Sequence, residues 1–239
     1  MKIFHFNLNK HLALSICATA VMTMLSSQSF ALTPFQAAYQ FSYNGKNLGT
    51  ATRALQQTDA SHWNYSFSAQ AGIIASANEN SQFSLSSGRV NSAQFNRNSK
   101  ILVHNNRLSI QFTPSTKLIH AQEDDTVRTF AWETGALDEL NAEIQAREDL
   151  QSTGLKNNYL IADAKGLDAR KFIKVGTENI NTPYGTFNTI KVRLDHGNSD
   201  KNTIFWLAPK LDYAPVKVMH NDGSNSYGLL ITQYKAGNN

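Results

Sequence analysis

Two stretches decide the fold: residues 175–192 read VGTENINTPYGTFNTIKV, and residues 205–218 read FWLAPKLDYAPVKV. In the first, Pro183 presets the backbone for the second position of a turn, and Gly185 suits its fourth position. Extended residues flank this turn, so the stretch predicts a β-hairpin. In the second, two prolines bracket a corner between two further strands. We expect Trp206 to be buried, and replacement of Gly185 to be costly if its φ is positive.

Together the two stretches resemble a known family. The pattern G-x-E-x-I-x-T-P-x-G-x-F-x-T-I-K-V, followed by W-L-A-P-x-L-x-Y-x-P-V-K-V, is similar to that of the bacterial exported family called domain of unknown function 3108. Residues 43–51 resemble its opening strand pair, and residues 137–140 lie where it has its helix. The resemblance covers residues 35–234 and implies an exported, mostly β protein. It implies no particular activity and supplies no catalytic residues.

The first 31 residues have the pattern of a secretory signal peptide. A basic start precedes a mostly apolar run, and Ser29-Phe30-Ala31 places small residues at the cleavage positions. Cys17 is interpreted as part of the signal, because Ile16 stands where a lipid-attachment motif needs a small residue. We expect cleavage after Ala31, a periplasmic location, and one β-rich domain over residues 32–239. The apolar run is short for a membrane span, and we expect none in the mature chain.

Charge and composition argue against several classes of function. The mature chain keeps all 18 acidic residues and all but two of the 22 basic ones, so its net charge falls from +4 to +2. No stripe of lysine and arginine is present, so nucleic acid is not an expected partner. The nucleophile-elbow, zinc-protease, P-loop and dinucleotide-binding motifs are absent. We therefore assign no catalytic residue, no cofactor and no metal site.

Alternating polar and apolar residues dominate the chain after the signal. Residues 39–43 and 63–71 alternate clearly, and similar short segments recur at hairpin spacing. Residues 203–207 are apolar on both faces. This pattern predicts an all-β fold in which a long antiparallel meander curls into an open barrel or spiral.

One segment, 136–150, interrupts the alternation. It has apolar residues at helical spacing, with Asp138 and Glu139 in the first turn, where the helix dipole favours acidic residues. Glu143 and Arg147 form a candidate pair one helical turn apart. The sequence therefore predicts one amphipathic helix that plugs or flanks the sheet.

Three polar groups are candidate sites. Asp195-His196 with Asp200 has the composition of a base and its orienting group, but it falls in a predicted hairpin loop with glycine and asparagine. Residues 123–125 are acidic and fit a solvated turn better than a cation site. The third group, Glu178 and Lys191, fits a pair across a hairpin.

Aromatic residues give the strongest indication of a binding site. Eight are expected to share one sheet face or the lumen: Tyr39, Phe41, Tyr43, Trp63, Tyr65, Phe67, Trp206 and Tyr213. An ordinary aromatic core explains them, and so does a cavity for an apolar ligand. Small Ala69 and Ala71 continue the face of residues 63–67, which suggests room at one end of the lumen.

The sequence favours a non-enzymatic periplasmic protein that binds a lipid or another apolar envelope ligand, or an envelope partner protein. Two alternatives stay open: a hydrolase-like enzyme acting on cell-wall or lipid material, and a purely structural adaptor. A filled lumen would favour the adaptor, and a wide aromatic cavity would favour ligand binding. A cleft with a histidine and a carboxylate in contact would favour the enzyme.

Overall fold

The computed structural model describes residues 32–73, 75–198 and 200–237. These residues form fifteen β-strands, one α-helix and one turn of 3-10 helix, Pro209–Leu211. The strands before the helix are β1 (Phe35–Tyr43), β2 (Lys46–Gln57), β3 (His62–Ala71), β4 (Ala75–Ser86), β5 (Arg89–Ile101), β6 (His104–Thr113), β7 (Leu118–Glu123), β8 (Thr126–Ala131) and β9 (Ala136–Leu137). Helix α1 (Glu139–Gln151) precedes β10 (Tyr159–Ala162), β11 (Leu167–Thr182), β12 (Gly185–Asp195), β13 (Asn202–Ala208), β14 (Ala214–Asn221) and β15 (Ser226–Ala236). The predicted signal peptide lies outside the described residues.

All fifteen strands belong to one open sheet. Its order is β8 to β1, then β15 down to β9, so the first and last strands pair at its centre and mid-chain strands form its two edges. Neighbours are antiparallel except β9 and β10, which are parallel. Arg128 on the β8 edge donates to the carbonyl of Ala164, next to the opposite edge, over 3.1 Å. The predicted all-β fold with an open, curled sheet and one helix is confirmed.

Bulges help the sheet to curl. Register shifts interrupt five strand pairs of the sheet, including β1 with both of its neighbours and β4 with β5. Each bulge adds local twist and bends its strand. The concave face collects alternate residues, as in the row where Tyr39 pairs with Ala51 and Ala51 with Ala69. This face surrounds a lumen.

Helix α1 lies in the lumen. Its N-cap is Asp138, whose side chain accepts from the backbone N–H of Asn141 over 3.0 Å, so the helix begins later than the pattern indicated. Residues 140–149 are all buried. The helix is therefore not amphipathic in its setting: the polar face that would meet solvent also packs against strands. The cause is a set of partners outside the helix that bond to many of those polar groups, among them Arg53, Ser92 and the carbonyl of Gly88.

The hairpin predicted around Pro183 forms as expected. Thr182 pairs with Gly185, which has a φ of +151°. Glycine tolerates this conformation, which other residues rarely adopt. A bulge beside Gly176 bends the hairpin, and β11 also contacts β14 and β15. The end of the hairpin therefore covers part of the outer face of the sheet.

Candidate functional site

The middle of the lumen is filled by polar contacts between α1 and the strands. Glu143 on α1 forms a buried ion pair with Arg53 on β2. The hydroxyl of Tyr65 on β3 donates to Glu143 over 2.8 Å and accepts from Arg53 over 2.7 Å. The two charged groups and the hydroxyl thus bond to one another where water is excluded, although the buried Nε of Arg53 has no hydrogen-bond partner among the described residues.

A second buried cluster holds the start of α1. The carboxylate of Asp138 accepts from Ser81 over 2.7 Å and from Ser92 over 2.9 Å. The side-chain amide of Asn141 also donates to Asp138, over 2.7 Å. Burial raises the pKa of Asp138 to about 6, although these hydrogen bonds oppose the shift. These contacts fix α1 within the sheet and so define where the remaining space begins.

An open cavity of about 390 Å³ occupies one end of the lumen. Glu139, Leu140 and Glu143, on the first turns of α1, line its inner end. Residues beside the β3–β4 and β5–β6 turns line its rim, including the exposed Lys100. The volume lies within the range of about 300–1,000 Å³ that small-molecule pockets occupy.

The cavity stays unfilled because several of the side chains that face it from β3 and β4 are small. Ala69 pairs with Ala77 across the two strands, and Ala71 pairs with Ala75. All four alanines line the cavity. Larger apolar residues complete the wall: Phe41, Phe67, Leu194, Phe205, Val218, Tyr227 and Leu229. The cavity is therefore apolar over much of its surface.

A polar chain of three side chains lines another part of the wall. Thr203 on β13 lies between His196 and His220, with its hydroxyl 2.9 Å from Nε2 of His196 and 2.8 Å from Nδ1 of His220. Burial lowers the pKa of His196 to about 4, and the nearby cation of Arg170 adds to the shift. Burial also lowers the pKa of His220. Both imidazoles are therefore neutral at pH 7.

Carboxylates supply the remaining polar lining. Glu79 is partly buried beside Ala77, and burial raises its pKa to about 7, with a further contribution from the charge of Glu139. Glu139 itself lies 3.7 Å from Arg97 and 3.5 Å from Arg170. The cavity thus combines an apolar wall with neutral imidazoles and one carboxyl group that ionises near neutral pH.

The eight predicted aromatic residues separate into distinct places. Phe41 and Phe67 line the cavity. Tyr39, Trp63 and Tyr65 are buried, and none of them lines the cavity. Tyr43 and Tyr213 are partly buried, and neither lines it. Trp206 requires a correction, because it does not share the face of the others.

Trp206 is buried as expected, at 3% exposure, but on the outer face of the sheet. Its neighbour Phe205 lines the cavity, and successive residues of a strand point to opposite faces. The indole N–H of Trp206 donates to Glu178 over 2.8 Å. The ammonium groups of Lys191 and Lys217 lie 5.0 and 4.4 Å from its ring. The expected Glu178–Lys191 contact forms here, at 3.2 Å.

Asp195 and His196, which are adjacent in the sequence, have different partners. The Asp195 carboxylate accepts from the backbone of Gly197 over 3.0 Å, whereas His196 contacts Thr203. A histidine–carboxylate contact does occur between His62 and Asp59, at 2.9 Å, but both side chains are more than half exposed in the β2–β3 turn. Within the described ranges, no group of three or more metal-ligating side chains is placed to hold a metal ion.

Sequence reasoning missed most of the polar lining. Arg53 and Glu143 are 90 residues apart in the chain, and Thr203 and His220 are 17 apart. One available signal was the position of Arg53, which alternates in phase with the apolar Ala51 and Leu55 of β2. A charged residue on an apolar face indicates a buried partner. In the part of the chain that the structure describes, no helix has the length and apolarity to cross a membrane.

The comparisons with known proteins identify a family and a fold. In fold, the chain is similar to a β-barrel-like protein of domain of unknown function DUF1849 from Brucella abortus, with a TM-score of 0.58 at 10% identity, over 87% of this chain and 99% of that one. A Parabacteroides distasonis protein provisionally described as a lipoprotein aligns with a TM-score of 0.33 at 10% identity, over 85% of this chain and 96% of the other. No curated protein matches the chain. The family described as protein of unknown function DUF3108 matches residues 38–231, and the chain belongs to that family.

Proposed function

We propose that this is an exported, periplasmic, non-enzymatic protein that binds a ligand with an apolar chain in the cavity at the open end of the lumen. The observation that carries the proposal is the paired alanines of β3 and β4, which keep a space of about 390 Å³ open beside α1. A structural adaptor would have no need of this space, since filling it with larger side chains would stabilise the fold.

The apolar wall suits an acyl chain or a similar group. Burial of apolar surface contributes roughly 25 cal/mol per Å², so a chain that buries about 300 Å² would gain about 7 kcal/mol before the costs of association. Micromolar affinity needs about 8 kcal/mol in total. The remainder, together with the cost of association, would have to come from further apolar burial and from polar contacts to the head group.

The polar lining favours a ligand whose head group can exchange hydrogen bonds. The neutral imidazoles of His196 and His220 each offer one donor or acceptor beyond their bond to Thr203. Glu79 can donate when protonated and accept when ionised. Lys100 at the rim offers a cation to an anionic head group. We expect the chain to lie against the alanines and the head group to lie toward these residues.

Native mass spectrometry of protein purified from the periplasm tests the proposal. We expect a bound lipid in the wild type, and displacement of a bound apolar fluorophore, N-phenylnaphthylamine, by added fatty acid. Ala69→Trp should abolish both signals, because the indole would occupy the cavity. Ala77→Leu, a smaller change on the facing strand, should weaken binding without abolishing it. A ligand-free wild type that binds no fluorophore would refute the proposal.

Thr52→Trp is the matched control. Thr52 neighbours Ala51 on β2, faces outward and is exposed, so a tryptophan there adds the same side chain without entering the lumen. Its ligand affinity should equal that of the wild type. Circular dichroism and a urea melt of each variant separate loss of binding from loss of fold.

One observation favours a second candidate, a hydrolase acting on lipid material. The hydroxyl of Thr203 lies within hydrogen-bond distance of two neutral imidazoles in the cavity wall, and a neutral imidazole can act as a base toward a hydroxyl nucleophile. Under this alternative, nitrophenyl esters of medium-chain acids would be hydrolysed by the wild type and not by Thr203→Val. Turnover that is absent from the wild type would leave the binding function as proposed.

A further inference from the structure

Two hairpin turns beside the cavity carry exposed apolar side chains. In the β3–β4 turn, Ile73 is 98% exposed; in the β5–β6 turn, Leu102 and Val103 are 62% and 85% exposed. The two turns are neighbours, because Ala75 on β4 pairs with both Ala71 and Ile101. With strands spaced by about 4.8 Å, the turns lie about 10 Å apart.

The other described turns at this end of the sheet are polar. The β1–β2 turn is Asn44-Gly45, the β7–β8 turn is Asp124-Asp125, and the β14–β15 turn contains residues 222–225, which read DGSN. These residues are the ordinary choice for tight turns in water. Apolar side chains at two adjacent turns depart from this rule, and their exposure to water is unfavourable.

The backbone of the β5–β6 turn strengthens this point. Ile101 pairs with His104, so Leu102 and Val103 form a two-residue turn in which Leu102 has a φ of +54°. Glycine or asparagine would occupy that position with less strain. A leucine at this position strains the backbone and exposes apolar surface to water, and both effects are unfavourable for the fold.

The charged side chain nearest to the two turns is basic: it is Lys100, two residues before Leu102. Residues 70–78 contain no charged side chain, and residues 98–107 contain Lys100 and Arg107 with no acidic residue. Lys100 and Arg107 are both exposed, and Lys100 also lines the cavity rim. Arg107 lies farther from the tip, where its backbone N–H donates to Asp124 of the β7–β8 turn over 2.8 Å. Apolar residues at the tip with cations behind them are the arrangement that suits the boundary between acyl chains and anionic head groups.

We infer that the β3–β4 and β5–β6 turns dock this protein on an anionic phospholipid surface, with Ile73, Leu102 and Val103 inserted among the lipid head groups. The inference rests on the proposed function for its purpose: docking by these turns brings the cavity rim against the membrane, where an acyl chain can pass without crossing water. A lipid surface fits better than a protein groove, because the two turns are separate hairpin tips about 10 Å apart and the exposed Lys100 lies behind one of them.

Co-sedimentation with vesicles tests the inference. The mature protein should bind vesicles containing phosphatidylglycerol and bind less to vesicles of phosphatidylcholine alone, with binding that weakens as salt rises. Ile73→Asp and the double variant Leu102→Asp/Val103→Asp should each lose binding by about tenfold or more, since one inserted Leu or Ile side chain contributes about a factor of ten. Val127→Asp is the matched control. Val127 is 65% exposed on edge strand β8, away from the two turns, so this substitution should leave vesicle binding unchanged.

Two readouts separate this inference from the proposed function. Ile73→Asp and Leu102→Asp/Val103→Asp are the tip variants. They should keep the wild-type equilibrium affinity for N-phenylnaphthylamine in solution, but they should release bound lipid to vesicles at least about tenfold more slowly. Vesicle binding that is unchanged in the tip variants, with cavity binding intact, would overturn the docking alone. Tip-dependent vesicle binding by a protein whose cavity binds nothing would overturn the proposed function alone. Concentration-dependent dimerisation lost in the tip variants, without vesicle binding, would assign the tips to a second copy and overturn the inference.

Discussion

Arg53 on β2 and Glu143 on α1 form a buried ion pair that joins the helix to the concave face of the sheet. The guanidinium also lies 5.4 Å from the ring of Phe67, which lines the cavity. Burial alone would lower the pKa of Arg53, but the carboxylate of Glu143 reverses this, and the net shift is upward. Arg53 therefore keeps its charge in this buried site, and the pair positions the inner end of the cavity.

Removing one partner should destabilise the protein strongly. Glu143→Leu leaves the guanidinium of Arg53 buried without its counter-charge, and such a loss costs about 3–5 kcal/mol of unfolding free energy. The double variant Arg53→Met/Glu143→Leu should recover a large part of that cost, because no uncompensated charge remains. Urea melts of the wild type, both single variants and the double variant give the coupling. Additive costs would show that the two side chains do not interact.

Glu79 should make the protein less stable as pH rises. Its pKa is about 7 in the folded chain, above the unfolded value of about 4.5, so the folded state holds the proton more tightly between these pH values. Stability from this group is full at low pH and is lost as pH rises through about 7. The unfolding free energy of the wild type relative to Glu79→Gln should therefore fall between pH 5 and pH 8. A constant difference across this range would mean that Glu79 is not buried as described.

His196 should act in the opposite direction. Its folded pKa of about 4 lies below the unfolded value of about 6.5, so between these values the unfolded chain binds a proton that the folded chain does not. Burial of His196 therefore lowers the unfolding free energy of the protein as pH falls below 6.5. Wild type should lose stability relative to His196→Gln between pH 7 and pH 5, measured by thermal melts. The reverse slope would place an acidic partner beside His196.

Local patterns predicted the strands and one part of the cavity. Alternation alone placed Phe41, Phe67, Ala69 and Ala71 on one face, because side-chain direction in a strand has a period of two. The pairing of β1 with β15 joins the two halves of the open sheet at its centre, and no local pattern carries that information. The predicted partner of Glu143 was wrong for the same reason. Helical spacing suggested Arg147, but the guanidinium of Arg147 donates to the carbonyl of Asp212 over 2.9 Å.

The predicted face of Trp206 was also wrong. Residues 203–207 are apolar on both faces, which indicates that both faces of β13 are covered. One face borders the lumen, but the cover on the other face is the bent end of the β11–β12 hairpin, which contributes Glu178. The bulge beside Gly176 that bends this hairpin has no signature in hydrophobic periodicity. A glycine within a strand was the available hint.

Trp206 should therefore contribute to stability and not to ligand binding. Trp206→Ala removes a buried indole and its hydrogen bond to Glu178, and a truncation of this kind costs about 3–5 kcal/mol. Phe205→Ala, one position away on the cavity wall, should cost a similar amount and also weaken N-phenylnaphthylamine binding. Melts and titrations on the two variants separate the faces of β13. Weakened fluorophore binding in Trp206→Ala at a temperature where it is fully folded would place the indole in the lumen after all.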